Sequence, residues 1–303
     1  MQVLRTPDDR FDGLPGYDFE PHYAEIDDLD VGTLRVHYLD EGPADADPVL
    51  LMHGEPSWCY LYRKMIGPLT AAGHRVIAPD LVGFGRSDKP TETTDYTYAR
   101  HVEWMRQLVV DHLDLQRVTF FGQDWGGLIG LRVLAAAPER FARVVIGNTG
   151  LPNGLTRPSK AFLAWQHYSQ TTERFDVGSI VGRGCVQPLT PDEVAAYDAP
   201  FPDDRYKAGA RILPSLVPTS PADPAADDNM RAWAVLEAFD RPFLCAFSDH
   251  DPVTAGGDKP FRERIPGAQG IEHLTVAGAG HFLQEDSPAE LAAIIDRFVT
   301  AHP

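Results

Sequence analysis

Apolar and polar positions change period repeatedly along this chain. Leu34 to Leu39 alternates and reads as a β-strand, and Pro48 to Met52 is a short, wholly apolar strand. Arg75 to Ala78 is another, ended by Pro79-Asp80, and Val118 to Phe121 and Val144 to Ile146 are two more. Between them the spacing turns helical. Tyr60 to Ala72 reads as a helix, and Tyr98 to Leu113 places Val102, Met105, Leu108, Val109 and His112 on one face. Leu128 to Ala137 is a run of helix formers. Strand and helix in alternation predict a mostly parallel sheet with helices on both faces.

The alternation stops after Gly150. Residues 151–229 hold helical pieces and a proline-rich exit, Pro214 to Pro224, without a convincing run of strands. It resumes with a helix from Met230 to Phe239, a strand from Pro242 to Phe247, a helix from Lys259 to Arg264 and a strand from Glu272 to Val276. Ser287-Pro288, an N-cap followed by proline at the first helical position, starts a last helix that runs to about Ala301. The expected organisation is a core of residues 1–150 and 230–303, interrupted by a helical cap of residues 151–229.

Composition narrows the setting. With 303 residues, 43% of them hydrophobic, the chain can bury a large core. A formal net charge of -17 disfavours nucleic acid and anionic membrane surfaces as partners. No apolar run is long enough to span a bilayer, and Met1 to Arg10 lacks the apolar centre of a signal peptide. The three cysteines, Cys59, Cys185 and Cys245, are widely spaced without metal-ligand spacing, as expected of reduced thiols in a cytoplasmic protein.

The most specific stretch is Phe121-Gly122-Gln123-Asp124-Trp125-Gly126-Gly127. It joins a strand to a helix, with glycine two residues before and two after Asp124. That spacing suits a nucleophile elbow, in which bulk at the flanking positions would clash. An aspartate there is already anionic at neutral pH. Its attack on an acyl carbon would give a mixed anhydride, whereas attack on a saturated carbon gives an alkyl ester that water can hydrolyse at the carboxyl carbon. The sequence therefore points to displacement of a halide or an epoxide oxygen from saturated carbon.

Such an ester needs a base, and eleven histidines compete for the role. His281, in Gly278-Ala279-Gly280-His281-Phe282, lies just beyond the last strand, at the sheet edge where ligands bind in parallel folds. His53 and His250 lie in other loops of that edge. The acid that orients the base should follow the strand ending at Phe247. Either Asp249 or Asp251 could serve, and Asp251, deeper in the loop and followed by Pro252, is favoured. Asn148 takes the place where an acid could follow the preceding strand. His53-Gly54-Glu55-Pro56 supplies an oxyanion amide at Glu55, paired with the amide of Trp125. A leaving halide suits indole N–H groups, which donate and cannot accept. Trp125 can give one and Trp165, the tryptophan of the cap, a second, while Trp233 lies in the helix after it. Gly83 to Asp88 lacks the third glycine of a dinucleotide fingerprint, no His/Cys cluster has metal spacing, and Glu285-Asp286 reads as a solvated helix entry.

These pieces resemble the haloalkane dehalogenases of the α/β-hydrolase fold. The likeness is carried by His53-Gly54-Glu55-Pro56-Ser57-Trp58, Asp80-Leu81-Val82-Gly83-Phe84-Gly85-Arg86-Ser87-Asp88, the elbow, Tyr197-Asp198-Ala199-Pro200-Phe201-Pro202 and Gly280-His281-Phe282-Leu283-Gln284-Glu285-Asp286, and it spans nearly the whole chain. It implies Asp124 as nucleophile, His281 as base, Asp251 as acid, Trp125 and Trp165 as halide donors, and Glu55 and Trp125 as oxyanion amides. It further implies a monomer that needs no metal and no cofactor beyond water, takes a halogenated alkane and releases halide. An epoxide hydrolase is the nearest alternative, with Tyr168, Tyr197 and Tyr206 available in the cap. Gln123 in place of the usual histidine, Glu55 in place of an aromatic residue, and Trp165 all disfavour it. A non-catalytic binding protein of the same fold is a third reading, against which the complete nucleophile, base and acid set stands.

Overall fold

The computed structural model describes residues 2–30 and 32–303; Met1, the first residue of the N-terminal stretch read above, and Val31 lie outside them. Eight strands form one sheet: β1 (His22–Asp28), β2 (Gly32–Glu41), β3 (Pro48–Met52), β4 (Arg75–Pro79), β5 (Val118–Gln123), β6 (Phe141–Gly147), β7 (Phe243–Ser248) and β8 (Leu274–Val276). Their order across the sheet is β8-β7-β6-β5-β3-β4-β2-β1. Only β2 runs against its neighbours; β3 to β8 are mutually parallel. This is the α/β-hydrolase fold. The central strands β3 and β5 are buried along their whole length, which explains the wholly apolar sequence of β3 and the mostly apolar one of β5.

Helices flank the sheet. α1 (Arg63–Ala71) follows β3, α2 (Tyr98–Arg106) precedes β5, and α3 (Trp125–Ala136) follows it. The stretch expected as one helix to Leu113 changes to π-type winding at Gln107–His112, and α3 starts at Trp125, three residues earlier than its apolar run suggested. Between β6 and β7 the described residues contain no strand. They form α4 (Lys160–Thr171), α5 (Val177–Gly184), α6 (Pro191–Asp198), α7 (Ala208–Leu216) and α8 (Ala226–Leu236). α8 begins four residues before position 230. α9 (Lys259–Arg264) links β7 to β8, and a short α10 (Leu283–Asp286) precedes α11 (Pro288–Ala301). No described helix is long and apolar enough to cross a membrane.

Two features escaped the sequence pattern. β1 is a seven-residue strand whose buried positions, Ala24 and Ile26, are separated by Glu25 and followed by Asp27 and Asp28. Glu285, expected as solvated, has a side chain only 1% exposed. It accepts hydrogen bonds from Arg63, Lys64 and the Tyr197 hydroxyl, and so ties α1 to α6 beside the loop that carries His281. A carboxylate can be buried there because two cations meet it.

Candidate active site

Because β3, β5, β6, β7 and β8 are parallel, the loops leaving their carboxyl ends collect at one edge. Glu55 follows β3, Asp124 follows β5, Asn148 and Thr149 follow β6, Asp251 follows β7 and His281 follows β8.

Asp124 has φ 51° and ψ -127°, a conformation that few residues other than glycine adopt. The surrounding bonds hold it there. Its N–H donates to the Asn148 carbonyl at 2.9 Å, and its carbonyl accepts from Gly127 N–H at 3.0 Å and the Thr149 hydroxyl at 2.7 Å. The flanking glycines are required by close approach. A Cβ on Gly126 would lie 1.9 Å from the Met52 carbonyl oxygen, and one on Gly122 2.4 Å from the Phe120 ring. The strained turn lifts the carboxylate out of the sheet edge into a cavity of about 560 Å³.

The two carboxylate oxygens of Asp124 meet different partners. Oδ1 accepts the Glu55 N–H at 2.7 Å. Oδ2 stands 3.6 Å from Nε2 of His281. The other ring nitrogen, Nδ1, is 2.9 Å from Oδ2 of Asp251. Asp251 also accepts from the Val253 N–H at 2.9 Å and from the Thr254 hydroxyl. Burial works against its charge, but the His281 ring and these hydrogen bonds hold its carboxyl at about 2. Burial also disfavours the His281 cation, yet the Asp251 and Asp124 carboxylates outweigh it and push the ring up to about 10. Asp249, the other candidate acid, bonds His250 Nδ1 at 2.6 Å and the Gly278 N–H at 2.8 Å. His53 is fully buried, with Nδ1 at 2.9 Å from the Gly54 carbonyl and Nε2 accepting from the Leu81 N–H at 3.0 Å. Of the candidate bases and acids, only His281 and Asp251 meet at Asp124.

The cavity is lined by Asp124, His281, Glu55, Trp125, Trp165 and the apolar side chains of Leu128, Phe162, Ile180 and Val217 among others. Of the five tryptophans in the chain, three have indole N–H groups committed to protein acceptors. Trp58 donates to the Ala196 carbonyl at 3.2 Å, Trp104 to Asp28 at 2.9 Å and Trp233 to the Leu151 carbonyl at 2.7 Å. Trp233 also lines the cavity, so its position alone would not have separated it from the other two. Trp125 packs edge-on against Tyr98, with ring centroids 4.8 Å apart, and Trp165 stacks on Tyr168 at 5.8 Å. The Glu55 carboxyl is buried, and among the described residues Oε1 has no hydrogen-bond partner. Burial first and the Asp124 charge second push it well above the usual carboxylate range, against the pull of His281 and Trp165.

None of Tyr168, Tyr197 and Tyr206 lines the cavity, and Tyr197 is bound to Glu285. The described residues include one cluster with ligand-like atoms close together, His37, Cys59 and Asp80, outside the cavity. There Asp80 already accepts from the Cys59 and Arg86 N–H groups and contacts His37. The sequence reading missed Thr149, which fixes the elbow carbonyl, and the contact of the Gln123 side chain with His281. Thr149 belongs to no pattern of periodicity or spacing, and the elbow motif that contains Gln123 does not show which distant group its side chain meets.

Comparison with known proteins identifies the family. The family model for the alpha/beta hydrolase fold matches residues 47–288. The chain is 58% identical to the haloalkane dehalogenase of Psychrobacter cryohalolentis over 303 residues, covering all of both chains. It is 51% identical to that of Mycolicibacterium paratuberculosis over 292 residues, 96% of each. The tetrameric haloalkane dehalogenase DpaA from Paraglaciecola agarilytica NO2 superimposes with a TM-score of 0.89 at 36% identity, covering 97% of each chain. A strained aspartate held between an amide and a histidine–aspartate pair, and likeness over the full length to such relatives, lead to one assignment: the chain belongs to the haloalkane dehalogenases, hydrolases of the α/β-hydrolase fold that act on carbon–halide bonds.

Proposed function

We propose that the chain hydrolyses haloalkanes in two covalent steps at Asp124, and the unequal surroundings of its two carboxylate oxygens carry this reading. In the first step Oδ2 attacks the halogen-bearing carbon, a C–O bond forms, and the carbon–halogen bond breaks with its electron pair on the halide. Trp125 and Trp165 donate their indole N–H groups to that ion. In the second step water gives a proton to Nε2 of His281 while its oxygen bonds to the Asp124 carboxyl carbon. Negative charge then grows on Oδ1, already held by the Glu55 N–H, with the N–H of Trp125 at the start of α3 as the second oxyanion donor of this scheme. The alkoxide leaves with the proton held on His281, giving the alcohol, and the remaining carboxyl proton passes to solvent, which restores the carboxylate and releases one proton per turnover. Asp251 holds the ring with its proton on Nδ1.

Residues 151–229 serve in this scheme as a cap over the sheet edge, carrying Trp165 to the nucleophile. The scheme needs no group from a second copy, and we take the working unit to be a monomer; the relative DpaA is tetrameric. Three unpaired cysteines support a cytoplasmic setting. A screen of chloro- and bromoalkanes of graded length, read by halide release and with epoxides in parallel, tests the function. Turnover of epoxides alone would reject it.

A further inference from the structure

Gln123, the residue before the elbow aspartate, is fully buried at the end of β5. Its Nε2 lies 3.1 Å from Nε2 of His281 and 3.1 Å from the His281 carbonyl oxygen. A carboxamide nitrogen carries two hydrogens and accepts nothing. One hydrogen therefore points to the carbonyl and the other to the ring. The carbonyl decides which end of the amide stands here, because the amide oxygen in the same place would face another oxygen. The ring nitrogen that receives the second hydrogen must present a lone pair. The Gln123 amide thus complements the neutral ring with its proton on Nδ1, toward Asp251, and opposes the imidazolium, whose Nε2–H would meet an N–H.

The charged and titratable groups facing this ring pull the other way. Asp251 approaches from the loop after β7, Asp124 from the elbow, and Glu55 from the loop after β3. From the cap, the Gly184 carbonyl accepts the His281 backbone N–H at 2.7 Å. The two aspartates hold a proton on the ring, yet water activation needs the ring without it.

On the reaction proposed above, we infer that Gln123 is a positioning residue for the hydrolytic step: its amide donates to Nε2 of His281, holds the ring in the tautomer protonated on Nδ1, disfavours the imidazolium, and yields the lone pair when water enters to be deprotonated. After His281 has taken a proton from water, the same N–H opposition drives the proton onward and returns the ring to its base form.

The test is the pH dependence of alkyl-enzyme hydrolysis in single turnovers, with the halide burst recorded in the same experiment. Gln123→Met removes the donor at similar size. It should move the midpoint of the hydrolysis profile upward by roughly one pH unit, the equivalent of one hydrogen bond. Gln123→Glu, which can accept from the imidazolium, should move it further. The burst should change by less than about threefold, since His281 takes no proton in that step. Folding of the variants is independent of one further measurement. In Asp124→Asn, which removes the elbow charge as esterification does, the ¹⁵N shifts of His281 at mildly alkaline pH should report a neutral ring protonated on Nδ1. A midpoint that stays put or moves down in folded variants, or a ring protonated on Nε2, overturns the inference. Absence of any halide burst in the parent would reject the covalent scheme itself.

Discussion

The Glu55 N–H donates to one carboxylate oxygen of Asp124, at 2.7 Å, while the other oxygen is left facing the cavity and the His281 ring. In the proposed mechanism this asymmetry would separate the two chemical steps in space, with the oxygen in the amide cradle becoming the oxyanion and its partner attacking the substrate.

Asp124→Asn should abolish turnover and leave the fold intact, since the carboxamide is a poor nucleophile and fits the same elbow. Single turnover of the parent in heavy-oxygen water should put the label in Asp124, with the first alcohol unlabelled. Label in that first alcohol would mean that water attacks the substrate directly.

His281→Phe should release about one halide per enzyme and then stop with an alkyl ester on Asp124, visible as added mass on the intact protein. In the parent, ester hydrolysis should rise with pH, because only the neutral ring accepts a proton. The Asp251 and Asp124 charges push the free-enzyme ring up to about 10. Esterification removes the Asp124 charge, so the hydrolytic midpoint should fall below that value. Rapid-quench kinetics across pH would check the direction; a midpoint above the free-enzyme value contradicts the assignment.

Asp251→Asn should slow ester hydrolysis by about 10³ to 10⁴-fold, the cost of a mis-held imidazole. Asp249→Asn should be nearly silent, because Asp249 pairs with His250 at 2.6 Å and is remote from the ring's hydrogen bonds. Comparing hydrolysis rates of the two trapped esters would distinguish them.

Halide should quench tryptophan fluorescence saturably. Trp165→Phe should weaken bromide binding and slow carbon–halogen cleavage by the equivalent of roughly 2 to 4 kcal/mol, since one donor to the developing anion is gone. Trp233→Phe is the control. Trp233 lines the same cavity, but its N–H is spent on the Leu151 carbonyl, so halide affinity should hold. Equal losses in both variants would mean that the halide is held by cavity shape and not by these donors.

The strands and the elbow were legible because each is a local pattern. The apolar run Pro48 to Met52 reproduces β3 to the residue, and the glycines at 122 and 126 stand out by their spacing about Asp124, although the contact that requires Gly126 is with Met52 on the neighbouring strand. Loop position narrowed the candidates to His281 and to Asp249 or Asp251, since parallel strands deliver their carboxyl ends to one edge; only the contact of Asp251 with the His281 ring tells the two aspartates apart. What stayed hidden depends on partners distant in sequence. β1 buries only Ala24 and Ile26, too few apolar positions to stand out among acidic neighbours. Glu285 looked like surface because its partners, Arg63 and Tyr197, lie 222 and 88 residues away. The role of Gln123 rests on a contact across 158 residues.

That buried cluster yields the last prediction. Glu285 receives Arg63 and Lys64 from α1 and Tyr197 from α6, while its neighbour Asp286 accepts the N–H groups of Gly280 at 2.8 Å and of Gln187 at 2.7 Å. Together they bind the segment after α5, the helix α6 and the His281 loop into one unit. Removing the carboxylate of Glu285 leaves the Arg63 side chain, 1% exposed, with only Glu193 to balance it. Glu285→Gln should therefore cost roughly 3 to 5 kcal/mol of stability, measured by urea unfolding, as expected when one member of a buried ion pair is lost. Asp286→Asn should act differently. It keeps the Arg63 pair but weakens the hold on Gly280, the residue before the base, so its main loss should fall on ester hydrolysis and not on unfolding free energy. Equal destabilisation by the two substitutions, with the hydrolytic step unaffected in Asp286→Asn, would show that the cluster braces the fold without fixing the base.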